Sequence, residues 1–363
     1  MRPHNEKTCW ADLAGRHIFM KAAALRPFLL ALLCLTLGGC VAIASRDTGN
    51  RPAHHTATGF QNTGSFNPSP GAGWRHLISD PYSRDYHVPA DRVLSLSQTL
   101  SGIKRAGDKD ISITWIGHST FLIRIGETWL LTDPFFAERS SPVAGVGPKR
   151  SVPAALTVDQ LPPIDAVLIS HNHYDHMDGA ALRALTQKHP KVQIVVPLKT
   201  GSAVRSAGGR HVTELDWWQS HQLGGLDMQL VPAVHSSRRG LMGKNSALWG
   251  GFIISDGKRK LYFSGDTGFG SFIDDIRART GPVDVAFIPI GAYKPQSLES
   301  GFHTTPEDGA RLADIMDARH VIPMHYGTIA LTPESYEDQV SRFRSSIGKD
   351  RRQMLKVGGT FAF

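Results

Sequence analysis

Six consecutive residues, His171-Asn172-His173-Tyr174-Asp175-His176, restrict this chain more than any other feature. They follow the apolar run Val167-Leu168-Ile169-Ser170, which reads as a buried strand. Three imidazoles and a carboxylate on one loop make poor packing material. Crowded together they would desolvate one another and repel on protonation, so a dication is their natural partner. His171 and His173, two apart, can converge on one ion, while Asp175 and His176 turn toward a second. A fold carrying this loop must hold it rigid and bring it further ligands.

Three other strand ends offer them. His235 ends the run 228–234, Asp266 follows 261–265, and His325 follows 321–324. Each is a ligand type delivered by an apolar strand, the way a rigid scaffold positions site residues. With the loop they make five histidines and two aspartates, enough for two ions. His118 and Asp133, on early strands, read as residues that orient the ligands from behind. His303 stands just before the helix start Thr305-Pro306-Glu307-Asp308 and is a candidate for contacting substrate or protonating a leaving group. The cysteines Cys9, Cys34 and Cys40 all precede residue 41, so the body holds no disulfide framework and no thiolate ligand.

Around these residues, short β-rich runs recur at 112–116, 121–125, 128–132, 166–170, 193–196, 228–231, 248–254, 260–264, 284–288 and 320–324. Helical patterns fall between them at 178–189, 269–279 and 333–347, with a further start at Thr305 as N-cap and Pro306 at the first helical position. Strands in two groups with helices between them imply two packed sheets flanked by helices, an α/β class.

The amino-terminal part is of another kind. A basic segment at Met20-Lys21 and Arg26 leads into a short apolar run ending at Leu37-Gly38-Gly39-Cys40. Such a run is too short to span a membrane and describes a secretory signal. Residues 1–40 are therefore expected to be a lipoprotein signal whose lipobox-like end makes Cys40 the acylated residue. Residues before Met20 read as an upstream extension. Val41 after Cys40, in place of an acidic residue, favours an outer-membrane location in the cell envelope. Residues 41–73, rich in Thr, Ser, Asn, Gly, Pro and His, are expected to form a flexible tether, and 74–363 the catalytic body. The formal charge is +8, and the first 39 residues hold five Lys/Arg and two Asp/Glu, which leaves +5 for the rest. That balance is diffuse, with no dense basic run, and argues against a nucleic-acid partner. It suits a surface near anionic lipid.

The motifs Trp115-Ile116-Gly117-His118-Ser119-Thr120, Thr132-Asp133-Pro134, Gly147-Pro148-Lys149-Arg150, Glu214-Leu215-Asp216-Trp217-Trp218, Gly265-Asp266-Thr267-Gly268 and Ile288-Pro289-Ile290-Gly291-Ala292-Tyr293 resemble those of one group within the metallo-β-lactamase superfamily. That group is the N-acyl-phosphatidylethanolamine-hydrolysing phospholipase D family, and the resemblance runs from about Ile111 to the C-terminus, more loosely around Phe60-Gln61-Asn62. It implies a four-layer αββα sandwich of two mixed β-sheets. It also implies two zinc ions, with iron or manganese as alternatives. His171, His173 and His235 would hold one ion, Asp175, His176 and His325 the other, and Asp266 would bridge them. Asp175 would double as a catalytic carboxylate beside His303. The implied reaction is attack of ion-activated water on a phospholipid phosphodiester, releasing N-acylethanolamine and leaving phosphatidic acid. Lys149, Arg150, Arg238, Trp218 and Tyr293 are the expected substrate contacts, with Arg239 a further cation beside them. The partners implied are a phospholipid substrate and a membrane reached through the lipid anchor. A lactonase or nuclease on the same scaffold is the rival enzyme reading. A non-catalytic envelope lipoprotein that binds metal or lipid is the rival from another class.

Overall fold

The computed structural model describes residues 51–63, 81–82, 85–240 and 243–363. The expected signal and its lipobox Cys40 lie outside them. The compact unit runs from Pro52 to Phe363.

Two sheets form it. The first has the order β13-β1-β2-β3-β4-β5-β6, built from β1 (Ile111–Gly117), β2 (Thr120–Ile125), β3 (Thr128–Thr132), β4 (Ala166–Leu168), β5 (Gln193–Pro197), β6 (His211–Leu215) and β13 (Thr360–Ala362). The second has the order β12-β11-β10-β9-β8-β7, from β7 (Ser220–Leu223), β8 (Leu226–Val231), β9 (Gly251–Ser255), β10 (Lys260–Phe263), β11 (Val285–Pro289) and β12 (His320–Met324). Both are mixed: β3 to β6 pair in parallel, as do β10 to β12, and the remaining pairs are antiparallel.

Alternation along the strands explains the layering. Ile113, Phe121, Ile123, Leu130, Leu168 and Val195 of the first sheet share one core with Phe252, Phe263 and Phe287 of the second. The residues between them, Leu122, Leu131, Val167, Ile194 and Val196, turn to the opposite face. There they meet Leu182 and Leu185 of helix α2 (Gly179–Lys188) and Val204 of α3 (Gly201–Ser206). Strands buried on both faces read as continuous apolar runs. Helix α1 (Leu96–Arg105) lies against β13. On the second sheet, α6 (Pro306–Ile315) covers β11 and contacts α4 (Phe272–Thr280) and α7 (Tyr336–Ser346). A one-turn helix, α5 (Gln296–Glu299), precedes α6. The architecture is the αββα sandwich. Among the described residues no helix is long and apolar enough to cross a membrane.

One expectation is corrected here. Residues 41–73 were read as a flexible tether, yet 52–63 fold against the body. His54 and Phe60 are buried, Phe60 N–H donates to Asn245 O (2.8 Å), and His55 pairs with Phe60 in a β-bridge. A few side-chain hydrogen bonds and one aromatic anchor hold this segment, and its composition does not distinguish it from a solvated linker.

Strand direction decides where a site can form. The antiparallel partners β2 and β9 leave β1, β3 and β4 pointing one way in the first sheet, and β8, β10 and β12 one way in the second. The residues following these six strands include His118, Asp133, the 171–176 loop, His235, Asp266 and His325. Ligand sites of open α/β sheets sit at such carboxyl ends.

Candidate metal centre

The six strand ends converge. Asp266 Oδ2 lies 3.1 Å from His176 Nε2, 3.0 Å from His325 Nε2, 3.8 Å from His235 Nε2 and 3.9 Å from both His171 Nε2 and His303 Nδ1. On one side His173 Nδ1 faces His171 Nε2 at 2.9 Å and His235 Nε2 at 3.3 Å. On the other, Asp175 Oδ2 lies 3.0 Å from His118 Nε2, 3.5 Å from His176 Nε2 and 3.6 Å from His325 Nε2. Donor atoms sharing one tetrahedral zinc at about 2.0–2.1 Å would stand roughly 3.4 Å apart. The observed separations scatter around that value in two groups, with Asp266 between them.

Proton positions argue the same way. Ser170 Oγ donates to Asp133 Oδ2 (2.6 Å), so its contact with His171 Nδ1 (2.9 Å) is one it accepts. His176 Nδ1 donates to Asp133 Oδ2 (2.7 Å), and His235 Nδ1 donates to the Phe302 carbonyl (2.9 Å). Three imidazoles therefore have their Nδ1 protons committed outward and turn Nε2 inward. Fixing the tautomer from behind is how proteins orient metal-bound histidine. His176 Nε2, His325 Nε2, His303 Nδ1 and Asp266 Oδ1 are buried and find no well-directed hydrogen bond among the described residues. Imidazole nitrogens from both groups thus surround the single Asp266 oxygen at separations that one donor set can share, so these residues fit a metal.

Electrostatics divide the two groups. Burial, reinforced by neighbouring imidazoles, pushes His171 well below the ordinary histidine value and His173 down to about 3. Burial also lowers His235 to about 4, against the pull of Asp266. At His176 and His325 burial works the same way, but the Asp266 and Asp175 carboxylates outweigh it. His176 is raised well above its usual value and His325 to about 9. Burial favours the neutral acid in Asp175 and Asp266, yet the facing imidazoles hold both well below the carboxylate range. The second group is thus a place that holds positive charge.

The backbone accommodates this at local cost. His118 (φ 55°), Asp133 (φ 34°) and His325 (φ 58°) all adopt left-handed backbone, rare for residues with a Cβ and common at functional sites. The His325 N–H donates to the His118 carbonyl (3.2 Å), joining the two sheets at the centre. Gly265, at φ 60°, lets β10 run beside the ligand loop, since a Cβ there would meet Ser170 Cβ at 2.6 Å.

All seven expected ligands share this pocket. Asp133 stands behind His176 and the Ser170 N–H (2.7 Å). His118 reaches Asp175 directly and belongs to the same close group as His176 and His325. His303 closes the pocket, stacked on His325 at 5.1 Å between ring centroids. Burial and the His325 and His235 rings hold it well below the usual histidine range, against the pull of Asp266.

The expected substrate contacts fare differently. Tyr293 is fully buried, donates to Asp338 Oδ2 (2.8 Å) and lies under Arg342; it belongs to the core. Arg150 is also buried, stacked on Phe135 at 4.6 Å with Nη2 donating to the Phe135 carbonyl (2.8 Å), so part of its guanidinium braces the fold. The Trp218 indole is taken up by Arg279 (4.2 Å), and Trp217 donates to the Trp249 carbonyl (2.6 Å). Lys149 pairs with Glu138 at the surface (3.0 Å). Arg238 is half-buried, while its neighbour Arg239 stacks on Tyr174 (4.4 Å) and donates to the Asn172 and Met177 carbonyls, bracing the ligand loop. Sequence reasoning missed Ser170, whose place as last residue before the loop was the available signal, and Asn62, whose amide grips His235.

The model of the beta-lactamase superfamily domain matches residues 128–326. The chain is 34% identical over 254 residues to an N-acyl-phosphatidylethanolamine-hydrolysing phospholipase D of Caenorhabditis elegans, covering 67% of this chain and 71% of that one. It is 29% identical over 250 residues to a metal-dependent hydrolase of Pyrobaculum aerophilum, covering 68% of this chain and 98% of the other. In fold it resembles a metallo hydrolase of the archaeon Ignicoccus hospitalis, with a TM-score of 0.53 at 20% identity over 70% of this chain and 98% of that one.

Proposed function

From the premise that this chain belongs to the beta-lactamase superfamily and is a metal-dependent hydrolase, we propose that it is a binuclear zinc phosphodiesterase acting on N-acylated phosphatidylethanolamine-like lipids. The observation that carries the proposal is the position of Asp266 Oδ2, within 3.9 Å of imidazoles from both ligand groups. His171, His173 and His235 would hold one ion and Asp175, His176 and His325 the other, with Asp266 shared. A pair of cations there would lower the pKa of a water and clamp the entering and leaving oxygens of a phosphodiester.

The chain's own residues do the rest. Asp133 and Ser170 keep the imidazoles of His171 and His176 in the tautomer that presents Nε2. Asp175, held ionised by its imidazole neighbours, can accept a proton from an attacking water. His303 is held neutral by burial. It suits a hydrogen bond to a phosphate oxygen better than a role as stored acid. The choice of substrate rests on the likeness to the nematode phospholipase D. Acylation of Cys40, supported by the leader sequence alone, would place the enzyme at a membrane surface in the cell envelope.

The test is metal analysis of the purified protein coupled to product identification from a mixed phospholipid panel. Two equivalents of metal and chelator-sensitive release of N-acylethanolamine are expected. Lactone opening without phosphodiester cleavage would overturn the substrate.

A further inference from the structure

The segment 52–63 makes contacts that the reaction above does not use. Asn62 Oδ1 accepts from the His235 backbone N–H (3.1 Å) and from Trp249 Nε1 (3.1 Å), while its Nδ2 donates to the His235 carbonyl (2.9 Å). One amide side chain thus grips the peptide of a metal-centre histidine from both sides, as a neighbouring strand would. At its other end the segment is latched. His54 Nε2 and His55 Nε2 meet the two oxygens of Asp216 at 2.6 and 2.7 Å, and the His54 ring stacks on Trp217 at 4.2 Å. Between the ends, the Gln61 N–H donates to the His54 carbonyl (2.9 Å), and Gly59 passes so close to Asn245 that a Cβ would meet its carbonyl at 2.1 Å.

The geometry of His235 explains why such a grip matters. Its ring is oriented by Nδ1 donating to Phe302 O, but its Cα sits in a loop after β8, outside the sheet ladder. Asn245 ties down Ser237 two residues on, with Asn245 N–H donating to Ser237 O (2.8 Å) and Ser237 N–H to Asn245 Oδ1 (3.2 Å). Asn62 supplies the missing partners at His235 itself. A shift of a few tenths of an ångström there moves Nε2 off the point shared with His171 and His173.

We propose that residues 52–63 are a strap whose Asn62 is a positioning residue for the metal ligand His235, anchored at its far end by the His54–Asp216–His55 clamp. The proposal rests on the two-ion reading above.

Zinc binding to the purified full chain, measured by competition with a chromophoric chelator, tests it. In Asn62→Ala one equivalent should keep its wild-type affinity and the other bind about 10–100-fold more weakly, the usual effect of removing an outer-shell support. Asn62→Asp keeps both acceptor contacts but sets a carboxylate oxygen against the His235 carbonyl, and should weaken the same equivalent while leaving the other unchanged. Unchanged affinity at both equivalents, or an equal loss at both, overturns the strap. Should Asn62→Ala fail to fold, Asp216→Asn loosens the far end without touching His235 and must still weaken one equivalent selectively, by severalfold. A third wild-type equivalent lost in Asp216→Asn would make the clamp a metal site and overturn its role as anchor. A wild-type chain binding one equivalent sinks the two-ion reading, while the strap then stands or falls on the Asn62 effect at that equivalent.

Discussion

Among the described residues, the metal centre and the clamp at the strap are both clusters of histidine and aspartate, and they are built on opposite principles. In the clamp at the strap, each imidazole turns its Nε2 to a carboxylate oxygen, at 2.6 and 2.7 Å, so these nitrogens meet acceptors. At the centre, nitrogens face nitrogens: His173 Nδ1 meets both His171 Nε2 and His235 Nε2, whose own protons are committed outward to Ser170 and the Phe302 carbonyl. Residue types and close spacing are the same in both. What separates a ligand set from a hydrogen-bonded latch is where the ring protons already go.

The sharpest way to break this contrast is to remove the shared carboxylate. Asp266→Ala should lose metal at both positions and slow hydrolysis by on the order of 10²–10³-fold, the scale of losing a charge-stabilising group. His54→Ala and His55→Ala, by contrast, should retain both equivalents in metal analysis. If a clamp variant loses an ion as completely as Asp266→Ala does, the distinction by proton position is wrong.

Next in size is the support behind His176. Asp133→Ala removes the acceptor for His176 Nδ1 and for both the backbone and hydroxyl of Ser170. Zinc affinity should fall about 10–100-fold, more than for Ser170→Ala, which leaves the Asp133–His176 pair intact. Competition titration of both variants orders them; the reverse order would remove Asp133 from its place behind the ligands.

How much of this was legible follows from the same contrast. The ligand loop and the three further strand ends stood out because chemistry-bearing residues interrupted apolar runs. The strands carrying them, buried on both faces, read clearly for the same reason. Elements with little core contact did not: β6 and β7 sit at sheet edges with exposed or half-buried residues, β13 is three residues long, and α1 leaves Leu96 and Leu100 exposed. The strap was read as a tether because its polar side chains find partners more than 160 positions away, His54 at Asp216 and Asn62 at His235, and no local pattern records that. Tyr293 and Arg150 are buried, which their motifs did not reveal, because a motif shows that a residue belongs to a pattern, not whether its side chain faces solvent or core.

Acidity gives a third test. In the metal-free protein the His325 value of about 9 lies above the unfolded value of about 6.5, so its stabilising contribution is complete below about pH 6.5 and lost as pH rises through about 9. The metal needs the deprotonated ring, so zinc affinity should rise over the same interval, by about tenfold per pH unit for each proton displaced. Melting temperatures of metal-free protein should therefore fall between pH 6.5 and 9, while those of zinc-loaded protein hold. The clamp runs the other way. Burial would raise Asp216, but hydrogen bonds from His54 and from His55 outweigh it and hold its carboxyl below the usual range. Its contribution is present above about pH 4 and lost as pH falls through the lowered value.

The smallest effect belongs to the clamp itself and discriminates best. Asp216→Asn keeps the shape of the side chain and one carbonyl oxygen but turns the other acceptor into a donor aimed at an imidazole N–H. One of the two contacts must break or the ring must change tautomer, costing roughly 1–2 kcal/mol. In a domain of this size the melting temperature should drop by only about 2–8 °C. An ordinary latch should lose that stability with both zinc equivalents present and one of them weakened severalfold, since Asn62 keeps its direct hold on His235. A drop in melting temperature that appears only with zinc present, and vanishes in metal-free protein, would mean the clamp acts through a cation after all. The two clusters would then differ in degree and not in kind.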